Sequence, residues 1–543
     1  MALHLSAGPA SSPPPCVVFE DAHLLVVRKP AGWNTHAPSP CSGEGIYEWL
    51  RHREPRWATL AIIHRLDKET SGLLVFGKTP AANRSLTEQF AARAVSKRYR
   101  LVTDRPVPRD AIVTTAAIAR AGDHYVARPA GLGGDPAETR FRVLERAPGR
   151  TVVEAEPVTG RTHQIRVHAA AEGFPILGDV LYGGTRSARV CLHAARLELR
   201  HPVTGEVLTF SDEPDLAAST ADALRAACVA TDETDAFRLR HGGSDGWHGL
   251  YADRLGEHVL TQGERPPTSA ETTELMAARG PGLPEARGVY HKTLMRHVRQ
   301  TTTAETCPQL VSGTAAPERF TVRENGVRYE LSFTEGYSVG IFLDQRDNRR
   351  RLLMGHVAAG FPLFPGSAAG NEVLNCFAYT CAFSVAAALG GARTTSLDLS
   401  RKYLDWGRRN FTANGLDPAA HDFIFGDVFD WLRRLGTKGR QFDAVLLDPP
   451  TFSRSKEHGD FRAEDDYGEL VGHALRVLKP GGVLLASTNA ARLLPETFLA
   501  QVRGAVLAAG RRPVQEHYVP QPPDFPVSRD DPAYLKTVWL RVS

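Results

Sequence analysis

At 543 residues the chain is too long for a single hydrophobic core, and about three or four compact units are expected. Its 42% apolar and 23% charged residues are those of a soluble globular protein, and it has no run of about 18 consecutive apolar residues, which excludes a helical membrane span. A net charge of +4, with Arg outnumbering Lys, permits a phosphate-rich partner through a local patch without requiring one. Residues 1–15 (MALHLSAGPASSPPP) lack the basic start and apolar run of an export signal; they read as a Pro/Ser-rich disordered tail, and a cytoplasmic location is expected. Seven scattered cysteines suit a reducing compartment, and no Cys/His cluster has metal-ligand spacing, so no metal is expected.

In chain order, apolar runs such as CVVFEDAHLLVV at 16–27, closed by Lys29-Pro30-Ala31-Gly32, predict strands meeting a turn. Strand signals dominate to about Phe210, and an α+β domain with a mixed antiparallel sheet is expected over 16–212. The Ala-rich, acidic stretch 213–235, with Leu216, Leu224 and Ala227 near helical spacing, predicts a linker. Residues 236–335 predict a small α/β domain with a loop-rich stretch at 262–288 and a hairpin at Glu324-Asn325-Gly326. Over 336–543 strands at 372–376, 394–398, 423–426, 444–447 and 482–487 alternate with helices, the pattern of a doubly wound parallel sheet.

The first chemically informative string is IHRLDKETSGLLV at 63–75, where a polar cluster holding Asp67 interrupts two apolar strands. Taken alone, Asp67 reads as a surface-loop acid paired with its neighbours. Two basic segments change that reading. In GRTHQIRVH at 160–168, strand alternation would put Arg161, His163 and Ile165 on one face and Arg166 on the other. In SKRYR at 96–100, Tyr99 could stack on a base while Lys97 and its neighbours meet phosphates.

With the KPAG turn and GDVLYG at 178–183, these strings resemble the RluA family of pseudouridine synthases over Val17 to Phe210. The resemblance implies that Asp67 is the catalytic aspartate, that Tyr99 contacts a flipped uridine, that Arg166 forms a salt bridge with Asp67, and that no cofactor is used. His64, Arg65, Lys97, Arg161 and His163 are then expected to contact RNA. Converting uridine to pseudouridine breaks the glycosidic bond, turns the base and rejoins it through carbon. An ionised Asp serves as nucleophile or as base on the sugar, and a nearby Arg keeps it charged in a dry pocket. The base must first leave its stack.

In the C-terminal half the informative residues stand at strand ends, where ligands of such sheets bind. Asp398 follows the second strand and suits ribose hydroxyls, whereas the turn after the first strand lacks the GxGxxG cradle of a dinucleotide pyrophosphate. Asp427 could accept from an adenine amino group, and Asp448-Pro449-Pro450 forms a rigid strand end.

GIFLDQR at 340–346, NCFAYT at 375–380, LDLS at 397–400, GDVF at 426–429 and DPPTFSRSK at 448–456 resemble class I methyltransferases, and among them the RlmI/RlmK-like group acting on large-subunit rRNA; FRLRHGGSDGWHGLYADRLG at 237–256 extends the likeness upstream. The resemblance implies a Rossmann-like domain at 336–543 with a seventh, antiparallel strand at 537–542 and S-adenosylmethionine as cofactor. Phe377, Tyr379 and Thr380 would line the methionine part of its site, Asp398 the ribose and Asp427 the adenine; Asp344 and Arg346 would close the cleft. Asp448 would sit at the reacting end and count as catalytic, with Pro450 and Phe452 against the acceptor base. Cytosine-modifying members of the group carry a cysteine nucleophile where this chain has Ala486-Ser487-Thr488-Asn489, and a serine is too weakly ionised to replace it. Guanine N7 is therefore the favoured acceptor, with Cys376 and Cys381 read as packing residues. A 5-methylcytosine product, a tRNA substrate, and a synthase-like half that only binds RNA are the alternatives.

Overall fold

A computed structural model describes residues 13–129, 131–213, 215–278, 282–294, 307–335, 338–455 and 459–543; the tail expected at 1–15 falls mostly outside them. A ten-stranded mixed sheet organises the N-terminal part. Its main path runs Val17–Glu20, Leu24–Lys29, Ser71–Gly77, Leu192–Arg200, Ser96–Thr103, Arg150–Pro157, Thr139–Ala147, Ala111–Thr114. Leu192–Arg200 pairs parallel with Ser71–Gly77 and antiparallel with Ser96–Thr103. SGLLVFG at 71–77 is buried along its whole length, as a continuous apolar run in a central strand should be. Strand alternation puts Lys97 and Tyr99 on one face of Ser96–Thr103, while Arg98 and Arg100 meet Glu154 and Glu213.

The strand reading of GRTHQIRVH is corrected: Gln164–Ala171 is an α-helix that starts after His163, whose φ of 56° is left-handed. Ile165 and Ala169, four apart on the helix, share one core with Phe141 and Phe174, while Val167 packs with Ile118. The alternation of Ile165 with Val167 imitated a strand.

The stretch expected to be a linker contains the helix Thr220–Cys228, capped by Ser219. Its Leu224, Ala227 and Cys228 belong to one core with Leu25 and Val27 of the first sheet and with Phe237 and Leu239 beyond it. This helix is a packed wedge between two sheets. The next sheet has five strands in sequence order, Ala236–His241, Leu250–Leu255, His258–Gly263, Gly288–Thr293 and Gln309–Gly313. Part of the stretch read as loop is the helix Ser269–Ala277, started by a capping box of Thr268 and Glu271. The hairpin Phe320–Glu324 and Val327–Leu331 turns through Asn325 and Gly326 at φ 51° and 76°, as a two-residue turn of type I′ needs.

The C-terminal sheet has seven strands in the order Asp422–Phe425, Arg393–Asp398, Glu372–Cys376, Phe442–Leu447, Leu478–Thr488, Lys536–Val542, Pro513–Val519. The first five are parallel and Lys536–Val542 is antiparallel to both neighbours. The strand order reverses at Glu372–Cys376, which opens a crevice at the carboxyl ends beside it. The helix Ile46–Arg53 of the first domain docks on Arg346–Met354 of the last: Trp49 Nε1 donates to Asp347 Oδ2 at 3.0 Å, and Arg350 donates to the Arg53 carbonyl at 2.8 Å and bonds Glu54. Among the described residues no helix is long and apolar enough to cross a membrane, and no His/Cys/Asp/Glu group could hold a metal ion.

Candidate active sites

Asp67 lies on the loop that enters strand Ser71–Gly77, in the wall of a cavity of about 820 Å³ that also has Arg65, Lys97, Tyr99, Arg161 and His163 in its lining. The loop is tied from below. Buried Lys29 donates through Nζ to the carbonyls of Pro30 at 2.9 Å, Trp33 at 2.7 Å and Lys68 at 3.2 Å, and Thr35 Oγ1 donates to the Leu66 carbonyl at 2.8 Å. The KPAG turn thus clamps the residues flanking Asp67. Burial pulls the Lys29 ammonium down to about 7.

Arg166 does reach Asp67, with Nη1 3.7 Å from Oδ2, but this is its weakest ion pair. Its fork is bidentate to Asp179, at 2.7 and 2.8 Å, and Nη1 also lies 3.1 Å from Glu69. The side chain of Asp179 is 2% exposed and that of Asp67 25%, so the fully desolvated acid takes the fork. Asp67 is left facing a fixed positive charge without being locked to it. Burial pushes its carboxyl above the ordinary range, His163, Arg166 and Lys29 pull it back, and Glu69 opposes them. Burial holds Tyr99 as a neutral phenol.

His64 lines the cavity, but its Nε2 accepts from the Val75 N–H at 3.2 Å, its ring stacks on Phe90 at 4.6 Å, and burial lowers its pKa to about 3. It is a neutral structural ring more than an RNA-contacting cation. His163 Nδ1 lies 2.7 Å from the Tyr182 hydroxyl. Lys29, Thr35, Glu69 and Asp179 are the residues that sequence reasoning missed. Lys29, Glu69 and Asp179 were hinted at only by their place in the KPAG, HRLDKETSG and GDVLYG strings, and Thr35 by none of them.

One pH dependence follows. Were Asp67 the reacting acid, as the resemblance implies, it would need to be ionised, and a raised pKa keeps it protonated to higher pH than a free aspartate. Pseudouridine formation should therefore fall on acidification with a midpoint above 3.8, the ordinary value for Asp; a profile flat down to that value would contradict the burial argument.

The second cavity, of about 490 Å³, opens at the carboxyl ends of the parallel strands and is lined by Asp344, Gln345, Phe377, Tyr379, Asp398, Asp427, Asp448, Pro450 and Asn489 among others. Phe377, Tyr379 and Cys381 all have left-handed φ, at 58°, 49° and 62°, in the turn after the first strand. Three such residues so close together are a costly turn that the surrounding contacts must hold. Asp398 supplies one: its Oδ2 accepts from the Tyr379 N–H and its Oδ1 from the Ser400 N–H, both at 2.8 Å. Asp427 caps the next helix through Oδ1, which accepts from the Asp430 N–H at 3.0 Å. Asp448 Oδ2 accepts from Gln345 Nε2 at 3.2 Å, and burial with the neighbouring Asp344 pushes this carboxyl up to about 7.

Three expected residues do not line this cavity. Arg346 turns away and is bidentate to buried Asp524 at 2.8 and 2.6 Å. Thr380 is fully buried and donates through Oγ1 to the Gly340 carbonyl at 2.6 Å, holding the neighbouring loop instead. Phe452 is half-buried on the strand Phe452–Ser455, whose Ser453 and Arg454 face the cavity. Arg346→Met would strand a carboxylate that is 0% exposed, a loss of about 3–5 kcal/mol of stability. Thermal denaturation should show it, with cofactor affinity of the folded protein unchanged; weakened binding without destabilisation would return Arg346 to the cleft.

The donor set fits a cationic, hydroxyl-rich ligand. Asp344, Asp398, Asp427 and Asp448 face the cavity, which Arg454 also lines; burial opposes charge on Asp344, Asp398 and Asp448, only partly offset by Arg238 and Arg349 at Asp344 and by Arg349 at Asp448. A bound cation would relieve that cost.

A mixed-sheet domain with Asp67 in a cavity wall, followed by a doubly wound domain with an acid-lined crevice, has the architecture of an enzyme chain built from two families. Residues 23–171 match the RNA pseudouridylate synthase family and residues 278–541 the S-adenosylmethionine-dependent methyltransferase family. A ribosomal RNA large subunit methyltransferase of Deinococcus radiodurans is 33% identical over 338 residues, covering 60% of this chain and 78% of that protein. Ribosomal RNA large subunit methyltransferase I of Klebsiella pneumoniae is 32% identical over 330 residues, 59% of this chain and 78% of that protein. Ribosomal large subunit pseudouridine synthase C of Yersinia pestis is 40% identical over 206 residues, and this chain spans 63% of its length. The chain belongs to the RlmI/RlmK-like S-adenosylmethionine-dependent methyltransferases and carries an RluA-type pseudouridine synthase domain at its N-terminal side. S-adenosylmethionine is the cofactor of the methyltransferase half.

Proposed function

We propose that the chain modifies RNA twice, isomerising a uridine at Asp67 and methylating a base at the Asp448 cleft, with large-subunit rRNA as substrate and guanine N7 as acceptor. The observation that carries the reading is Asp67 itself, an acid in a cavity wall that faces Arg166 without being its main partner. A surface that only bound RNA would gain nothing from a carboxylate held there against its desolvation cost.

In this reading the extruded uracil lies against Tyr99, Lys97 at the cavity wall meets a phosphate, and ionised Asp67 acts on the sugar as nucleophile or base. Arg166 supplies positive charge while Asp179 keeps its guanidinium in place. In the second centre Asp398 would hold the ribose hydroxyls and Asp427 the adenine amino group, with Phe377 and Tyr379 along the methionine chain and Asp448 at the reacting end. Bound S-adenosylmethionine supplies a methyl group already activated on a sulfonium, so orientation is the main task left to the chain. Covalent attack on a cytosine is disfavoured. Cys376 and Cys381 are fully buried, and burial pushes the Cys381 thiol up to about 12.

The test is to incubate the purified protein with unmodified large-subunit rRNA and methyl donor and to read the nucleosides by mass spectrometry. Pseudouridine together with 7-methylguanosine is expected. No pseudouridine would refute the first half, and 5-methylcytidine as the sole methylated product would refute the acceptor assignment.

A further inference from the structure

A chain of buried hydrogen bonds in the methyltransferase half starts on a group that can only donate and ends on Asp448. Trp539 Nε1 donates to Asn348 Oδ1 at 3.0 Å. An indole has no acceptor, so Asn348 must offer its oxygen there, which turns its amide nitrogen to Gln345. Asn348 Nδ2 donates to Gln345 Oε1 at 2.7 Å, and this fixes the second amide in turn. Gln345 Nε2 then donates to Ser487 Oγ at 2.8 Å and to Asp448 Oδ2 at 3.2 Å. Trp539, Asn348, Gln345 and Ser487 are each at most 2% exposed. Every polar atom of the Gln345 amide is used, and neither amide can flip without leaving a buried donor or acceptor unpaired.

We propose that Gln345 is the positioning residue of methyl transfer: Asn348 and Trp539 hold its amide in one orientation, and through it the Asp448 carboxylate is fixed against the acceptor base. The inference rests on the methyltransferase reading above. Ser487 is a second hydrogen-bonding neighbour of this carboxylate; with Gln345 on Oδ2, the acceptor sites left over would meet the base, where they select an edge bearing an N–H, such as the amino edge of guanine. Ser487 gains an explanation as well. Its hydroxyl is fully buried, accepts from Gln345 and lies 3.0 Å from Thr537 Oγ1. It is the second anchor of Gln345.

Burial and the neighbouring Asp344 push the Asp448 carboxyl up to about 7, against the Ser487 hydrogen bond, the Arg349 charge and the Gln345 amide N–H, so removal of that N–H should raise it further. Ionised Asp448 favours a cationic donor, as do Asp344 and Asp398 in the same cavity, whose carboxyls burial also raises, so cofactor affinity should rise with pH, and the share that belongs to Asp448 is the part that moves when Gln345 is changed. Two readouts on the full-length chain test this: the pH dependence of S-adenosylmethionine binding by calorimetry, and the single-turnover rate of RNA methylation. In Gln345→Met the binding midpoint should move up by about half a pH unit or more. The methylation rate at saturating cofactor should fall roughly tenfold or more. Pseudouridine formation should be unchanged. An unmoved midpoint, or a moved midpoint with full methylation, overturns the proposal. If Gln345→Met loses both activities together it has not folded, and Asn348→Asp decides instead: it keeps the Trp539 contact but sets oxygen against Gln345 Oε1, so the amide must turn and both readouts should shift the same way. If the unaltered protein binds cofactor yet methylates no RNA, the methyltransferase reading fails. The binding midpoint still reports the grip of Gln345 on Asp448, so the two failures are distinguishable.

Discussion

Asp67→Asn should abolish pseudouridine formation, by roughly four orders of magnitude or more, as removal of the reacting group does when no neighbour can take its place. Glu69 cannot substitute, because it is not part of the cavity lining and its carboxylate pairs with Arg166 Nη1 at 3.1 Å. The variant should fold normally. The bidentate partner of Arg166 is Asp179, not Asp67, and the cavity already opposes the Asp67 charge, so an isosteric amide costs the fold little. Nucleoside mass spectrometry beside a thermal melt and a methylation assay checks it: the expected result is no pseudouridine, an unchanged melting temperature and unchanged methylation. Retained isomerisation in a pure preparation would remove Asp67 from the chemistry.

The second large effect belongs to Asp398→Ala. This carboxylate accepts from the N–H groups of Tyr379 and Ser400, and it is the acid placed for ribose hydroxyls. Its loss releases the left-handed turn that contains Phe377 and Tyr379 and takes away a charged hydrogen-bond acceptor, worth about 1.5–3 kcal/mol, or roughly 10- to 150-fold in cofactor affinity. Calorimetric titration with S-adenosylmethionine should show that weakening while pseudouridine formation stays at the unaltered level. Affinity within a factor of about two of the original would place the ribose elsewhere.

Both centres were legible in the sequence because their residues come in contiguous strings. HRLDKETSG and SKRYR put Asp67, Lys97 and Tyr99 around one cavity, and Asp398, Asp427 and Asp448 stand at or just beyond the carboxyl end of a parallel strand. What the sequence hid is pairing at a distance. Nothing near Arg166 says that its fork belongs to Asp179, and nothing near GRTHQIRVH says that burial of Ile165 and Ala169 on one core makes it a helix. The helix Arg346–Met354 is the plainest case. In RDNRRRLLM, whose Arg346 was expected at the cofactor cleft, Arg346, Arg349 and Arg350 are buried against Asp524, Glu324 and Glu54, the last from the synthase domain. Partners 25 to 296 residues away decide its environment, and no local pattern reports them.

That two independent centres share one chain is tested most directly by complementation of a deletion strain with Asp67→Asn and, separately, with Asp398→Ala, followed by modification mapping of total RNA. One pseudouridine and one methylated base should vanish on deletion, the first alone returning with Asp398→Ala and the second alone with Asp67→Asn. Loss of both marks in either variant, or return of both in Asp67→Asn, would contradict the account.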